Sequence, residues 1–177
     1  MDHRALVGMK PWLASFALPL VRDSGWEIFV LTGTRDTKSA LDTLKKISPS
    51  GGFFQVLSPS HVGSFSHLAW AAYGTFLSLA RGNAHYSQPE LEFLVRVAGV
   101  SQVDHALPLV GVSPSAREVI VLWSGPSGWM TSSRFASMVK EWGLAPHPIA
   151  WGSGISPPSD WSRGVNAWAM ERSALVD

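Results

Sequence analysis

Trp26-Glu27-Ile28-Phe29-Val30-Leu31-Thr32, followed by Gly33, is the stretch that decides the class of this chain. Its residues alternate and then run apolar, as expected of a buried strand that Gly33 stops. Downstream, Ala40, Leu41, Leu44 and Ile47 stand at helical spacing within residues 36–47. Gly51-Gly52 then punctuate, and Phe53-Phe54-Gln55-Val56-Leu57 reads as the next strand, ending at Ser58-Pro59. Strand, helix and strand make a β-α-β unit, so the chain is α/β, with a central mixed β-sheet flanked by α-helices. Its 177 residues suit one well-packed domain and are short for two, so residues 1–177 are read as a single domain.

From His61 to Arg81 the apolar residues fall into two helical stripes: Phe65, Leu68, Ala69, Ala72, Phe76 and Leu79, and then Trp70, Tyr73 and Leu77. His67, Gly74, Ser78 and Arg81 occupy the remaining side, which is expected to meet solvent. The second stripe needs cover, either from the same chain or from a partner. Ser87 and Glu90 have capping-box spacing before a helix whose core face is Leu91, Leu94, Val95 and Ala98, and Gly99 stops it. Ser101 and Asp104 repeat that spacing before a short helix ending at Gly111. Glu118 to Trp123 reads as a strand, Gly125-Pro126-Ser127-Gly128 as a turn, and Ser132 to Trp142 as a helix. Pro146 to Ser159 is a Gly, Ser and Pro rich loop, and Trp161, Val165, Trp168 and Ala169 mark a terminal amphipathic helix.

Composition narrows the function classes. There is no cysteine, which removes disulfides and thiolate chemistry and agrees with an intracellular protein. Charged residues are 15% of the chain although it carries nine tryptophans, so part of the neutral surface is a candidate interface. Apolar stretches are interrupted well short of the roughly 20 residues that span a bilayer, and no secretory signal is evident, so a soluble, cytoplasmic protein is expected. A net charge of +1 argues against strong nonspecific nucleic-acid binding; no DNA partner is expected and any RNA contact has to be local.

No catalytic constellation is recognisable in the sequence. Lys38-Ser39 follows a strand as in a phosphate-binding loop, but Thr37 replaces the required glycine. Ser124, Ser127 and Ser153 lack the flanking glycines of a nucleophile elbow. His61 and His67 are expected on separate faces of one helix, and His105 beside Asp104 reads as a surface pair, so no metal, cofactor or catalytic residue is expected. Glu92 and Arg96 stand at i, i+4 in the favourable order, so Arg96 is either half of a helix-supporting pair or a phosphate or partner contact. The segment Asn83 to Ser87 offers amide, imidazole, phenol and hydroxyl groups, suited to gripping an unpaired base, though loop polarity explains it equally.

One longer pattern unites these pieces. His67-Leu68-Ala69, the Asn83 loop, and Glu90-Leu91-Glu92-Phe93-Leu94-Val95-Arg96-Val97-Ala98-Gly99-Val100-Ser101-Gln102-Val103-Asp104-His105-Ala106 together resemble the small non-kinase subunit of the KEOPS complex, the family called PRPK-binding protein in animals. The resemblance runs from about Gln55 to Gly111 and, more weakly, through Met170-Glu171-Arg172-Ser173-Ala174-Leu175. It implies an α/β fold without enzymatic activity and binding to the N-terminal lobe of the complex's atypical kinase. For archaeal members it also implies binding of the single-stranded 3′ CCA end of tRNA; the complex makes threonylcarbamoyladenosine, with the chemistry in another subunit. Matching positions are His67, Leu68, Asn83, Ser87, Glu90, Leu94, Arg96, Gly99, Gln102 and Ala106. Ser101 stands where the family often has a basic residue, and the polar loop lacks a common Arg or Lys, which weakens the RNA side more than the kinase side.

The candidate tRNA contacts are therefore Arg81, Asn83, His85, Tyr86, Ser87, Arg96 and Gln102, and the candidate partner interface is Trp70, Tyr73 and Leu77. Two alternatives stay open: a kinase-binding subunit without RNA affinity, and an unrelated α/β enzyme acting on a small molecule.

Overall fold

The computed structural model describes residues 13–18, 26–35, 52–113, 115–126, 131–141, 143–159 and 162–176. Within them, strands β1 (Leu13–Leu18), β2 (Trp26–Arg35), β3 (Phe53–Leu57), β4 (Glu118–Pro126) and β5 (Leu144–Pro146) form one sheet. Helices are α1 (Phe65–Arg81), α2 (Pro89–Ala98), α3 (Val103–Val110), α4 (Ser132–Glu141) and α5 (Gly164–Ala174). The class is α/β. Packing divides the chain into two compact units, residues 1–56 with 113–149 and residues 57–112 with 150–177.

In the first unit the strand order is β1-β2-β4-β3. β4 pairs with β2 from Trp26↔Pro126 to Thr34↔Glu118. The opposite edge of β2 is shared: β1 takes Trp26 to Leu31 and β5 takes Gly33 to Arg35. These three ladders are antiparallel where a mixed sheet was expected, and β4 lies between the two strands assigned to the β-α-β unit. The helix expected within residues 36–47 lies outside the described residues.

Gly33 does not stop its strand. β2 continues to Arg35 because β5 approaches so closely that a Cβ on Gly33 would overlap the Ala145 carbonyl oxygen. The glycine is needed for close approach rather than termination. Likewise Gly125 and Pro126 belong to β4, and the rest of the expected turn, Ser127-Gly128, lies outside the described residues. β5 takes the first residue of the segment read as a loop from Pro146.

Ile28 to Leu31 and Val119 to Trp123 are buried without a break, so both faces of the two central strands are covered. Phe29 packs against its cross-strand partner Trp123 and against Phe135 of α4, with both centroid distances 5.9 Å. Each such side chain contributes roughly 1.5–3 kcal/mol through burial. After β5 the chain is held to β2 twice: Thr32 Oγ1 donates to the His147 carbonyl at 2.7 Å, and the His147 N–H donates to the Thr32 carbonyl at 3.1 Å.

In the second unit α1 packs on α2 and α5, and α2 packs on α3 and α5. α2 is buried over seven consecutive residues, Glu92 to Ala98. Neither expected capping box forms, because each helix starts one residue later than its signal. α2 begins at Pro89 with Gln88 as N-cap, because a proline without N–H is suited to the first helical position; Glu90 then falls one place short of the third. α3 begins after Gln102, and the Val103 N–H is satisfied by Tyr86 Oη at 3.1 Å rather than by Ser101. Gly99 ends α2 as expected, at φ 66°, and a Cβ there would also come within 2.7 Å of Arg172 Cβ.

α1 carries the largest correction. It starts at Phe65, so His61 belongs to a preceding 3-10 turn, Pro59–His61, and the two histidines do not share a helix. The side expected to meet solvent is partly the packed side: His67 and Ser78 are buried and Gly74 is covered by Arg96, while Arg81 is exposed. Small residues allow the close approach, and local bonds satisfy the polar ones. Thr75 Oγ1 donates to the Ala71 carbonyl at 2.9 Å, and Ser78 Oγ lies within reach of the Thr75 carbonyl and of Glu92.

Candidate functional site

A pocket of about 130 Å³ opens where α1, the loop after it, α2 and α5 converge. α1 supplies Trp70, Tyr73, Leu77 and Arg81, spaced three or four apart and therefore on one helical face. The loop adds Asn83 and α2 adds Arg96. Candidate partner residues and candidate tRNA residues thus meet at one place. Trp70 and Tyr73 are half-buried, with ring centroids 6.1 Å apart at 45°. Ser173 of α5, which the sequence did not single out, also lines the pocket; its Oγ is buried and has no hydrogen-bond partner.

Below this pocket lies a buried polar network. Arg96 Nε donates to Glu92 Oε1 at 2.9 Å and Arg96 Nη2 reaches the same oxygen at 2.9 Å. Ser78 Oγ lies 3.1 Å from Glu92 Oε1, and the Tyr86 N–H donates to Glu92 Oε2 at 3.1 Å. One carboxylate therefore joins α1, α2 and the loop between them. Its full burial is sustained by an opposite charge and two further donors, the condition under which a buried carboxylate is tolerated. The helix-supporting reading of the Glu92–Arg96 spacing is met, inside the molecule rather than on its surface.

The remaining candidates separate. Tyr86 is half-buried and ties the loop to both neighbouring helices through its N–H and its hydroxyl. His85 is exposed and lines a different hollow together with Ser101, His105 and Arg172. Ser87 and Gln102 are exposed, and neither side chain caps a helix. Arg81 and Asn83 are exposed at the first pocket.

His67 is the polar group whose burial the sequence did not reveal. Ser64 is the N-cap of α1, its Oγ accepting from the His67 N–H at 3.2 Å, and His67 Nδ1 accepts from the Gly63 N–H at 3.1 Å. The imidazole thus closes the helix start much as a glutamate does in a capping box. Burial lowers its pKa from 6.5 to about 4, so the ring is neutral near pH 7. With Nδ1 accepting, the proton of the neutral ring sits on Nε2. The spacing Ser64-x-x-His67 was the available signal.

No cluster of three or more His, Asp or Glu side chains suited to a metal ion occurs among the described residues. Nor is any helix among them long and apolar enough to cross a membrane. No family model and no curated protein matches the chain.

Proposed function

We propose that this chain is a non-catalytic KEOPS-type subunit that binds the atypical kinase of that complex and recruits tRNA through its single-stranded 3′ CCA end. The observation that carries the RNA half is the convergence of Trp70 and Tyr73 with Arg81 and Asn83 at one small pocket. Aromatic faces stack an unpaired base, an amide reads its edge, and an exposed guanidinium meets the adjoining phosphate. The pocket is too small for a whole nucleotide chain, which supports capture of a terminal base rather than a tracking groove.

A second reading, kinase binding without RNA affinity, is favoured by a specific feature. Glu92 neutralises Arg96, leaving Arg81 as the exposed cation lining the pocket. Binding of a full-length tRNA against the same tRNA lacking CCA, at one fixed salt concentration, separates the two readings. At least a tenfold loss on truncation is expected; equal binding of both RNAs, or binding of neither, removes the RNA half. Tyr73→Glu then reports on the shared pocket. Loss of tRNA with kinase binding retained supports a base in the pocket, and the reverse assigns Trp70, Tyr73 and Leu77 to the kinase.

A further inference from the structure

Trp70, Gly74, Leu77 and Arg81 follow one another along a single face of α1, each three or four residues from the next, and all four line the first pocket. Gly74 is the member of that face without a side chain. It leaves a notch one turn from Trp70 and one turn from Leu77, and its backbone is half-buried at the pocket wall.

The helix itself has no need of a glycine there. A helix interior disfavours glycine relative to alanine, and Gly74 is not among the glycines with positive φ, so its backbone suits any residue. Space supplies the reason. A Cβ on Gly74 would stand 3.2 Å from Arg96 Nη1 and 3.3 Å from Arg96 Cδ. Arg96 therefore lies against α1 at the notch, and Glu92 Oε1 holds it there through Nε and Nη2, both at 2.9 Å. The notch is backed by a guanidinium whose charge a buried carboxylate already balances. Such a backing suits a neutral flat ring better than a phosphate, and unpaired bases stack on guanidinium groups as they do on aromatic rings. The exposed cation for a phosphate is Arg81, two turns further along the same face.

On the RNA reading proposed above, we infer that Gly74 is the specificity-determining residue of this pocket: its missing side chain makes the notch that admits a neutral nucleobase, the 3′-terminal one, between Trp70 and Leu77 and against Arg96. The base enters and the phosphate stays outside.

A cycle that alters the notch and the base together tests this. The full chain and its Gly74→Ala variant are each titrated, at one fixed salt concentration, with tRNA ending in CCA and with the same tRNA carrying an abasic 3′-terminal residue. The parent is expected to bind the intact RNA about tenfold more tightly than the abasic one, the scale on which a single small group acts in a fitted pocket. Gly74→Ala, melting as cooperatively as the parent, is expected to bind both RNAs alike and as weakly as the parent binds the abasic one. A variant that keeps the parent's preference, or a parent that needs CCA but ignores the missing base, overturns the role of Gly74 and leaves the RNA reading standing. A parent that binds tRNA equally with and without CCA fails the RNA reading, and the notch falls with it. Should Gly74→Ala not fold, the glycine serves the packing of Arg96 alone, which equally overturns the assignment.

Discussion

Two arginine–glutamate pairs in the second unit have the same length and opposite surroundings. Arg96 meets Glu92 at 2.9 Å with side chains 3% and 0% exposed; Arg163 meets Glu171 at 2.9 Å with side chains 67% and 44% exposed. An equal contact distance does not mean equal energy. The buried carboxylate has lost its water and depends on the guanidinium, Ser78 and the Tyr86 N–H for every compensating interaction. The exposed pair keeps its solvent whether or not it forms. The first therefore organises the loop beside the candidate RNA pocket, and the second decorates the start of α5.

The largest effect should come from breaking the buried member. Glu92→Ala leaves Arg96 enclosed without its counter-charge and frees the loop at Tyr86, so a loss of about 3–5 kcal/mol in urea unfolding is expected. Replacing both partners, Glu92→Leu with Arg96→Met, should recover much of that loss, since apolar groups of similar volume need no compensation. A single-variant loss under about 1 kcal/mol would mean that water reaches the carboxylate and that the contrast with Glu171 is false.

His67 extends the comparison to a buried group with no charge partner. Its native pKa is lowered to about 4 by burial, against 6.5 for an exposed ring. As pH falls below 6.5 the unfolded chain takes up a proton that the native chain refuses until about pH 4, so stability is lost across that window and levels off below it. The difference corresponds to an order-of-magnitude loss of ~3 kcal/mol. His67→Gln can still accept from Gly63 without titrating. Its melting temperature should therefore fall less steeply between pH 6.5 and 4 than that of the parent chain; parallel curves would show that His67 is not the titrating group.

The same contrast explains what the sequence could reveal. β2, β3 and the start of β4 were legible because apolar runs report local burial directly, and Gly99 marked its helix end because only a left-handed residue fits there. Which side of α1 is packed was not legible. A helical wheel ranks residues by polarity, whereas burial of His67 and Ser78 depends on partners such as Gly63 and Glu92 that only the fold brings near. The gathering of Trp70, Tyr73 and Leu77 was readable from helical spacing. Their meeting with Asn83 and Arg96, and with the unforeseen Ser173, depends on where α5 packs. β5 escaped notice because three residues carry too little pattern, and its mark was Gly33, read as an ending when it was a place of contact.

The smallest expected effect belongs to the exposed pair, and it is the most discriminating check on the argument. Arg163 and Glu171 stand eight residues apart, at the N-cap and two turns into α5, so holding them together restricts two long side chains for one contact in water. A double-mutant cycle of Arg163→Ala and Glu171→Ala should give a coupling of about 0.2–1 kcal/mol at low salt. Raising the salt toward 1 M shortens the screening length to about 3 Å and should remove most of it. The Glu92–Arg96 coupling, enclosed by protein, should change little under the same treatment, because ions cannot enter between its partners. If both couplings faded together with salt, burial would not be what separates them, and the case for Glu92 as the anchor of the loop beside the candidate pocket would fall with it.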